Sequence, residues 1–428
     1  MIAPARLAAY RALRSIHDDK LDLASALERQ RQALTDDRDR GLAAEITYGT
    51  LRWRGTLDFL ITRAGHRDAT AFDPEVLDLL RMSAYQLLYL DRVPQAAVIS
   101  DAVNLCKKER KTSASGAVNA ILRRMSRERN RLDLPDEAAP LDFLSVSLSL
   151  PRWLAERWLN RLGFDVACAW ARFSNDPAPM TLRANGLKTT RASLSEALLA
   201  EGVTTAPARF APDALIVTAG NPLRTALAAS GHFLVQDESS QMVAGFAAVQ
   251  PGERVLDTCA APGGKTTQMA ADAGGRAHVV ASDVRPRRMR LLAETVGTMG
   301  ARVDLLRADW MATPALRPVF DCVLVDAPCS GLGTIRRDPD IKWRRTEEDL
   351  RAYGERQLTM LLSAAQAVAP GGRLIYSTCS SEPEENDAVI AALLAQDPRF
   401  REEGDRFRPS PHAEGLEPFF AARLRRIP

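Results

Sequence analysis

No stretch of eighteen uninterrupted apolar residues occurs in this 428-residue chain, so no membrane-spanning helix is expected. The first residues, MIAPARLAAYRALRSIHDDK, are basic but contain neither a continuous apolar core nor a cleavage site. They read as the first helix of a cytoplasmic protein, without membrane contact. Histidine is scarce, with five residues, and none clusters with the six cysteines (Cys106, Cys168, Cys259, Cys322, Cys329, Cys379). Those cysteines form no CxxC pair and no regular spacing, so neither a disulfide framework nor a metal site is expected. Free thiols in a reducing compartment keep thiolate chemistry available. Internal repeats and low-complexity tracts are missing, and a net charge of +3 names no partner.

The length calls for two or three domains. With 46% apolar and 26% charged residues, the chain can bury sizeable cores and stay in solution. Residues 1–131 read as an all-helical domain, because LAAYRALRSI, LAAEITYGTLRWRGTLDFLI and VLDLLRMSAYQLLYL repeat apolar residues at helical spacing. Asp36 and Asp37 suit a helix cap, and Asp73-Pro74 opens a helix with proline in the first turn. Residues 132–150, with prolines and acids, have the composition of a linker. Residues 151–231 read as a small α+β module, with MTLRAN, VTTAPA and ALIVTA as strands around the helix SLSEALLAEG. Residues 232–428 change character again. HVVASDV, VDLLRAD, FDCVLVDAP and GGRLIYSTC are short apolar runs between helical segments. Runs without alternation predict strands buried on both faces, hence an α/β fold with a parallel sheet. Ligands of such sheets sit at the carboxyl ends of the strands.

The unusual residues fall at those ends. In ERVLDTCAAPGGKTTQMA, a strand, a tight turn and a helix follow one another, and Gly263 and Gly264 let backbone approach a ligand at the helix start. GxGxxG and GxxxxGK[ST] are both absent, which argues against dinucleotide and P-loop sites. Asp283 closes the next strand, 26 residues after Asp257, where a carboxylate would accept ribose hydroxyls. Asp309 closes the third strand and suits an adenine amino group. A single aspartate at such a place is often only a cap, but two in register with a glycine turn favour a nucleoside-bearing cofactor. Cys329 (VDAPCSGLGT) and Cys379 (IYSTCSSEPEEN) lie at two further strand ends. Asp326 is a candidate acid three residues before Cys329, and Pro328 stiffens the loop between them. Spacing alone leaves open which cysteine attacks.

LDTCAAPGGKTT, ASDVRPRR, LLRADW, VDAPCSGLGTIRRDPDIKW and YSTCSSEPEEN together resemble the motif series of the Sun/RsmB family of RNA cytosine-C5 methyltransferases. The resemblance covers the whole catalytic half. It extends upstream through YGTLRWRGTLDFLI and SAYQLLYLDRVPQAAVISDAV, which resemble the family's NusB-like RNA-binding domain, and downstream to GLEPFFAARL, which resembles its closing strand. The fold it implies is a Rossmann-like class I S-adenosylmethionine-dependent methyltransferase domain, preceded by an all-α NusB-like domain and the small α+β module. It implies Cys379 as nucleophile and Cys329 as the residue assisting product release. The cofactor contacts it implies are Cys259, Ala260, Ala261, Pro262, Gly263, Gly264, Lys265, Asp283, Asp309 and Asp326, the last facing the target base as well. The chemistry suits this set. Cytosine C5 becomes nucleophilic only after a thiolate adds to C6, with a carboxylic group near N3 stabilising the intermediate.

DNA enzymes of this chemistry carry a PCQ-type loop, whereas Cys329 is followed by Ser330 and Gly331; RNA, not DNA, is the expected partner. Residues 107–131 hold nine Lys/Arg (Lys107, Lys108, Arg110, Lys111, Arg123, Arg124, Arg127, Arg129, Arg131) against Glu109 and Glu128. Alone this would be a solvated helix face; beside an RNA-modifying half it reads as a phosphate-binding surface. The loop Ile335–Arg345 adds five Lys/Arg and Trp343, a combination suited to holding and stacking an extruded base. The NusB-like resemblance favours 16S rRNA as substrate; a monomer is expected. A tRNA methyltransferase and a non-catalytic assembly factor are the alternatives, the second disfavoured by intact Cys379, Cys329 and Asp326.

Overall fold

The computed structural model describes residues 2–428, which divide into two compact units. One runs to Pro177 and includes Ile335–Arg345; the other comprises Ala178–Thr334 and Thr346–Pro428. No helix among the described residues is long and apolar enough to cross a membrane.

The first unit is all helix. Pro4 and Pro74 sit in the first turns of helices Pro4–His17 and Pro74–Tyr89, where a missing N–H costs nothing. Asp36 caps Asp37–Arg52 by accepting from the Arg38 amide, so Asp37 is the first helical residue. Helices Arg54–Gly65, Gln95–Lys108 and Ser115–Glu128 complete the bundle around Leu13, Leu57, Ile61, Leu79, Leu80, Leu105 and Leu122, all essentially inaccessible. Asp78, buried among them, meets His17 at 2.5 Å, Arg14 at 2.9 Å and Arg81 at 3.5 Å. Burial pushes its carboxyl up, but the bonds from His17 and Arg14 more than offset this and leave it below the usual carboxylate range. Residues 132–150, expected as a linker, are packed in their second half. Leu144, Leu148 and Leu150 are buried, Ser149 Oγ accepts from the Gly55 amide, and Thr56 donates to the Val146 carbonyl. Helices Arg152–Leu162 and Phe164–Asn175 follow in the same unit.

The second unit holds two sheets. The smaller is antiparallel, made of β1 (Thr181–Ala184), β2 (Thr204–Pro207), β3 (Ala214–Ala219) and β4 (Phe233–Val235), in the order β2-β3-β1-β4. The larger contains β5 (Arg254–Asp257), β6 (His278–Asp283), β7 (Val303–Arg307), β8 (Phe320–Asp326), β9 (Val368–Thr378), β10 (Phe400–Glu402) and β11 (Phe420–Arg426). Its order is β10-β11-β9-β8-β5-β6-β7; the five strands β5–β9 run parallel, β11 pairs antiparallel with β9, and β10 pairs antiparallel with β11. Val323, Leu324 and Val325 of β8 and Leu374, Ile375 and Tyr376 of β9 are fully buried, as expected for strands covered on both faces. The run VDLLRAD behaves differently: β7 is the edge strand, and Asp304 and Leu305 are exposed. From β5 the chain steps outward through β6 and β7, then returns to β8 on the other side of β5. This reversal opens a crevice at the carboxyl ends of β5 and β8.

Candidate active site

The turn after β5 is built for close approach. Thr258 N–H bonds to the Leu324 carbonyl at 3.0 Å and Ala260 N–H to the Ser282 carbonyl at 2.9 Å, anchoring the turn to the ends of β8 and β6. Gly263, at φ 110°, precedes helix Gly264–Asp272. A Cβ there would be strained and would press on Leu292 at 3.1 Å. Thr266 donates to the buried Asp257 carboxylate at 2.7 Å, which burial pushes up to about 7. Burial also raises the Cys259 thiol, so Cys259 serves the turn as a neutral side chain.

Three of the expected carboxylates line the ends of successive strands. Asp283, nearly inaccessible at the end of β6, accepts from the Arg285 amide and lies 3.3 Å from Arg288 Nε. Arg288 also donates to the Ala261 carbonyl at 2.6 Å, joining its helix to the glycine turn. Asp309, two residues beyond β7, is exposed and caps a single helical turn through the Met311 amide. Asp326 ends β8. Its Oδ2 receives Lys265 Nζ at 2.7 Å and its Oδ1 receives the Ser377 hydroxyl at 2.8 Å. Burial works against the Lys265 charge, but Asp326 more than offsets it, and Lys265 stays above its ordinary value. Lys265 is coupled electrostatically to Cys379 as well. Expected as a cofactor contact, it therefore bridges the glycine turn and the cysteine site.

The two cysteines meet. Cys379 directly follows β9, Cys329 lies three residues past β8, and their Sγ atoms are 3.0 Å apart. At that distance they share a hydrogen bond; this bond first, and burial second, raise the Cys329 thiol well above its ordinary value. The loops leave no spare room. Gly333 N–H bonds to the Cys379 carbonyl at 2.9 Å, and a Cβ on Gly333 would lie 2.8 Å from that same oxygen.

Two contributors carry no clear mark in the sequence. Arg183 in β1 is 1% exposed; it donates to Gln236 Oε1 at 2.5 Å, to Thr267 Oγ1 at 2.8 Å and to the Gly264 carbonyl. Burial lowers it to about 10. An arginine inside a four-residue strand that is otherwise uncharged is the one signal available. Glu385, part of the SEPEEN run, is fully buried beneath the cysteine loops.

The segment Ile335–Arg345 corrects an expectation. It packs within the first unit, where Trp343 Nε1 donates to the Leu51 carbonyl at 2.6 Å. Lys342, with no accessible surface, donates to the Arg52 carbonyl at 2.9 Å and to Asn175 Oδ1 at 3.3 Å. An indole and a buried lysine head group committed to protein acceptors do not serve a stacked base and its phosphate. Trp343→Ala should accordingly destabilise the first unit by about 3 kcal/mol in denaturant unfolding. Unchanged stability with weakened RNA binding would restore the stacking role.

The basic patch is thinner than its composition. Lys111 pairs with Asp73 and Glu75, Arg124 with Glu128 and Arg129 with Asp91. Lys107, Lys108, Arg110, Arg123, Arg127 and Arg131 remain exposed. Reversing the charge of Lys107, Lys108 and Arg110 should weaken RNA binding. The slope of log affinity against log salt should fall by about one for each phosphate that is no longer neutralised. An unchanged slope would mean that the patch is only solvated.

A seven-stranded sheet of this order, with a glycine turn after its first strand and carboxylates on the next strand ends, defines a Rossmann-like class I methyltransferase domain. The family model described as "16S rRNA methyltransferase RsmB/F" matches residues 245–425, the NusB family model residues 3–127, and a RsmF/B-like ferredoxin-like model residues 150–224. A probable ribosomal RNA small subunit methyltransferase B of Bacillus subtilis is 33% identical over 412 residues, covering 91% of each chain. The ribosomal RNA small subunit methyltransferase B of Pseudomonas putida is 35% identical, covering 93% of this chain and 90% of its own. The crystal structure of PH0851 superposes with a TM-score of 0.82 at 26% identity, covering 99% of both chains. A methyltransferase homolog protein from Pyrococcus horikoshii gives 0.59 at 26% identity, over 66% of this chain and 98% of its own. The chain belongs to the RsmB/F family of 16S rRNA methyltransferases.

Proposed function

We propose that the protein methylates carbon 5 of a cytosine in 16S rRNA, using S-adenosylmethionine, with Cys379 as nucleophile and Cys329 assisting release. The observation that carries this reading is the pair of sulfur atoms 3.0 Å apart, beside the Lys265–Asp326 ion pair at the same strand ends. A protein that only binds RNA has no need of two touching thiols at a ligand crevice.

The residues fit the cofactor by the chemistry of their donor set. Cys259, Ala260, Ala261, Pro262, Gly263 and Gly264 would offer backbone at a helix N-terminus. Asp283 would accept the ribose hydroxyls, and Asp309 an adenine amine. When bound, S-adenosylmethionine supplies an electrophilic methyl group. The chain does the rest. Cys379 thiolate adds to C6 of the base, and the C5–C6 electron pair becomes available at C5, while the proton shared by Lys265 and Asp326 passes to N3 and neutralises the charge spread there. Once C5 bears the methyl group, its proton leaves to a base, the C5–C6 double bond re-forms, and the S–C6 pair departs on Cys379. Cys329 lies where its S–H can protonate that departing sulfur.

The helical unit with its exposed cations, and the small sheet of the second unit, would hold the RNA. Incubation of unmodified 16S rRNA, and in parallel of unmodified tRNA, with the protein and cofactor, followed by bisulfite sequencing, tests the proposal. One cytosine should become resistant to conversion. Resistance in tRNA only would move the substrate to tRNA, and none in either would sink the activity.

A further inference from the structure

Behind the two cysteines lies a carboxylate that the chemistry above does not use. Glu385 has no accessible surface. It accepts from the Ser330 amide at 2.7 Å, from the Ser330 hydroxyl at 2.5 Å, from Gln357 Nε2 at 3.1 Å and from the Ser380 hydroxyl. Ser330 directly follows Cys329 and Ser380 directly follows Cys379, so one side chain grips the residue after each cysteine. Gln357 extends the grip by donating to the Pro328 carbonyl at 3.0 Å, on the other side of Cys329. The neighbouring Asn386 completes it. Its Oδ1 receives Thr378 Oγ1 at 2.6 Å and its Nδ2 donates to the Ser380 carbonyl at 2.9 Å, the two residues flanking Cys379. Residues 385–386 thus clamp both loops in one register.

The grip is also charged. Backbone and amide N–H groups can only donate, so this donor set suits the acceptor-only, ionised carboxylate. Burial pushes Glu385 up, and its donors oppose that rise. The groups facing Cys329 are Cys379, Glu385 and Tyr376; Asp326 and Lys265 lie on the Cys379 side. A negative charge therefore stands behind Cys329, while the groups on the Cys379 side are the Lys265–Asp326 ion pair, whose ammonium faces Cys379.

We propose that Glu385 is a positioning residue that holds the two thiols in contact and keeps their shared proton on Cys329, leaving Cys379 as the thiolate. The inference rests on the roles proposed for the two cysteines. It explains how equivalent side chains at equivalent strand ends do different work: Cys379 attacks as the anion, and Cys329 retains the proton it delivers at release.

The test reads Cys329 directly, without RNA or methyl transfer. In a Cys379→Ser background, the rate of Cys329 alkylation by iodoacetamide is followed against pH by peptide mass spectrometry. Adding Glu385→Gln should lower the midpoint by about one unit, whereas Glu385→Asp, which keeps the charge but withdraws it by a methylene, should lower it by less. In the enzyme with both cysteines, Glu385→Gln should reduce kcat with the KM for RNA little changed, and Glu385→Asp should restore part of it. An unmoved midpoint in a folded Glu385→Gln protein overturns the proposal. If that variant does not fold, an unmoved midpoint in Glu385→Asp overturns it equally. Failure of the cysteine roles themselves would show elsewhere, as methyl transfer surviving Cys379→Ala.

Discussion

Cys379→Ala is expected to abolish methyl transfer, with a loss of at least about 10⁴-fold, since in the proposed mechanism the C6 adduct is the only route by which C5 gains electron density. Cofactor binding should stay near normal. The glycine turn is anchored by backbone bonds to Leu324 and Ser282 and by Arg288, and none of these passes through Cys379. Isothermal titration with S-adenosylmethionine and a labelled-methyl assay on 16S rRNA separate the two effects. Retained activity would move the nucleophile to Cys329, which lies close enough to take over. Joint loss of binding and activity would mean that the substitution had damaged the crevice.

The second large effect is expected from Cys329→Ala. In the proposed mechanism attack and methyl capture need only Cys379, so the adduct should form. Without an acid 3.0 Å from the departing sulfur, breakdown should slow by about 10²–10⁴-fold, the usual contribution of a positioned proton donor. Covalent protein–RNA complex should then accumulate and migrate slowly on a denaturing gel, in a cofactor-dependent manner. A double substitution at Cys329 and Cys379 should show no such band. If the single variant shows none while still turning over, the release role of Cys329 is wrong.

Much of the catalytic half is legible in the sequence because its signals are local. The runs HVVASDV, FDCVLVDAP and GGRLIYSTC become β6, β8 and β9, and the glycine turn announces itself by composition. That both cysteines fall at strand ends is readable; that their sulfurs touch is not, because β8 and β9 are paired across a long helical crossover. The same reason hides the remainder. Trp343 looks like a free aromatic in a basic loop until its partner, the Leu51 carbonyl, is found nearly three hundred residues earlier. Arg183 reads as a strand residue until the loop it supports, around Gly264, is in view. Glu385 sits in a recognisable motif, but its function lies in bonds to Ser330 and Ser380 from two different loops. Cations that look alike in sequence also separate in space: Lys111 is spent on Asp73 and Glu75, while Lys107 and Lys108 are free to meet solvent.

The path of the chain after Thr334 has a consequence for dissecting the protein. Eleven residues leave the methyltransferase fold there, bond to the helical bundle and return at Thr346. Cutting away the N-terminal half would strand Lys342 and Trp343 without the carbonyls of Arg52 and Leu51 that satisfy them. A shortened catalytic protein would carry an unsupported flap a few positions downstream of Cys329. The two halves are stitched rather than strung, and a minimal enzyme would have to replace this excursion with a tight turn, not merely start later.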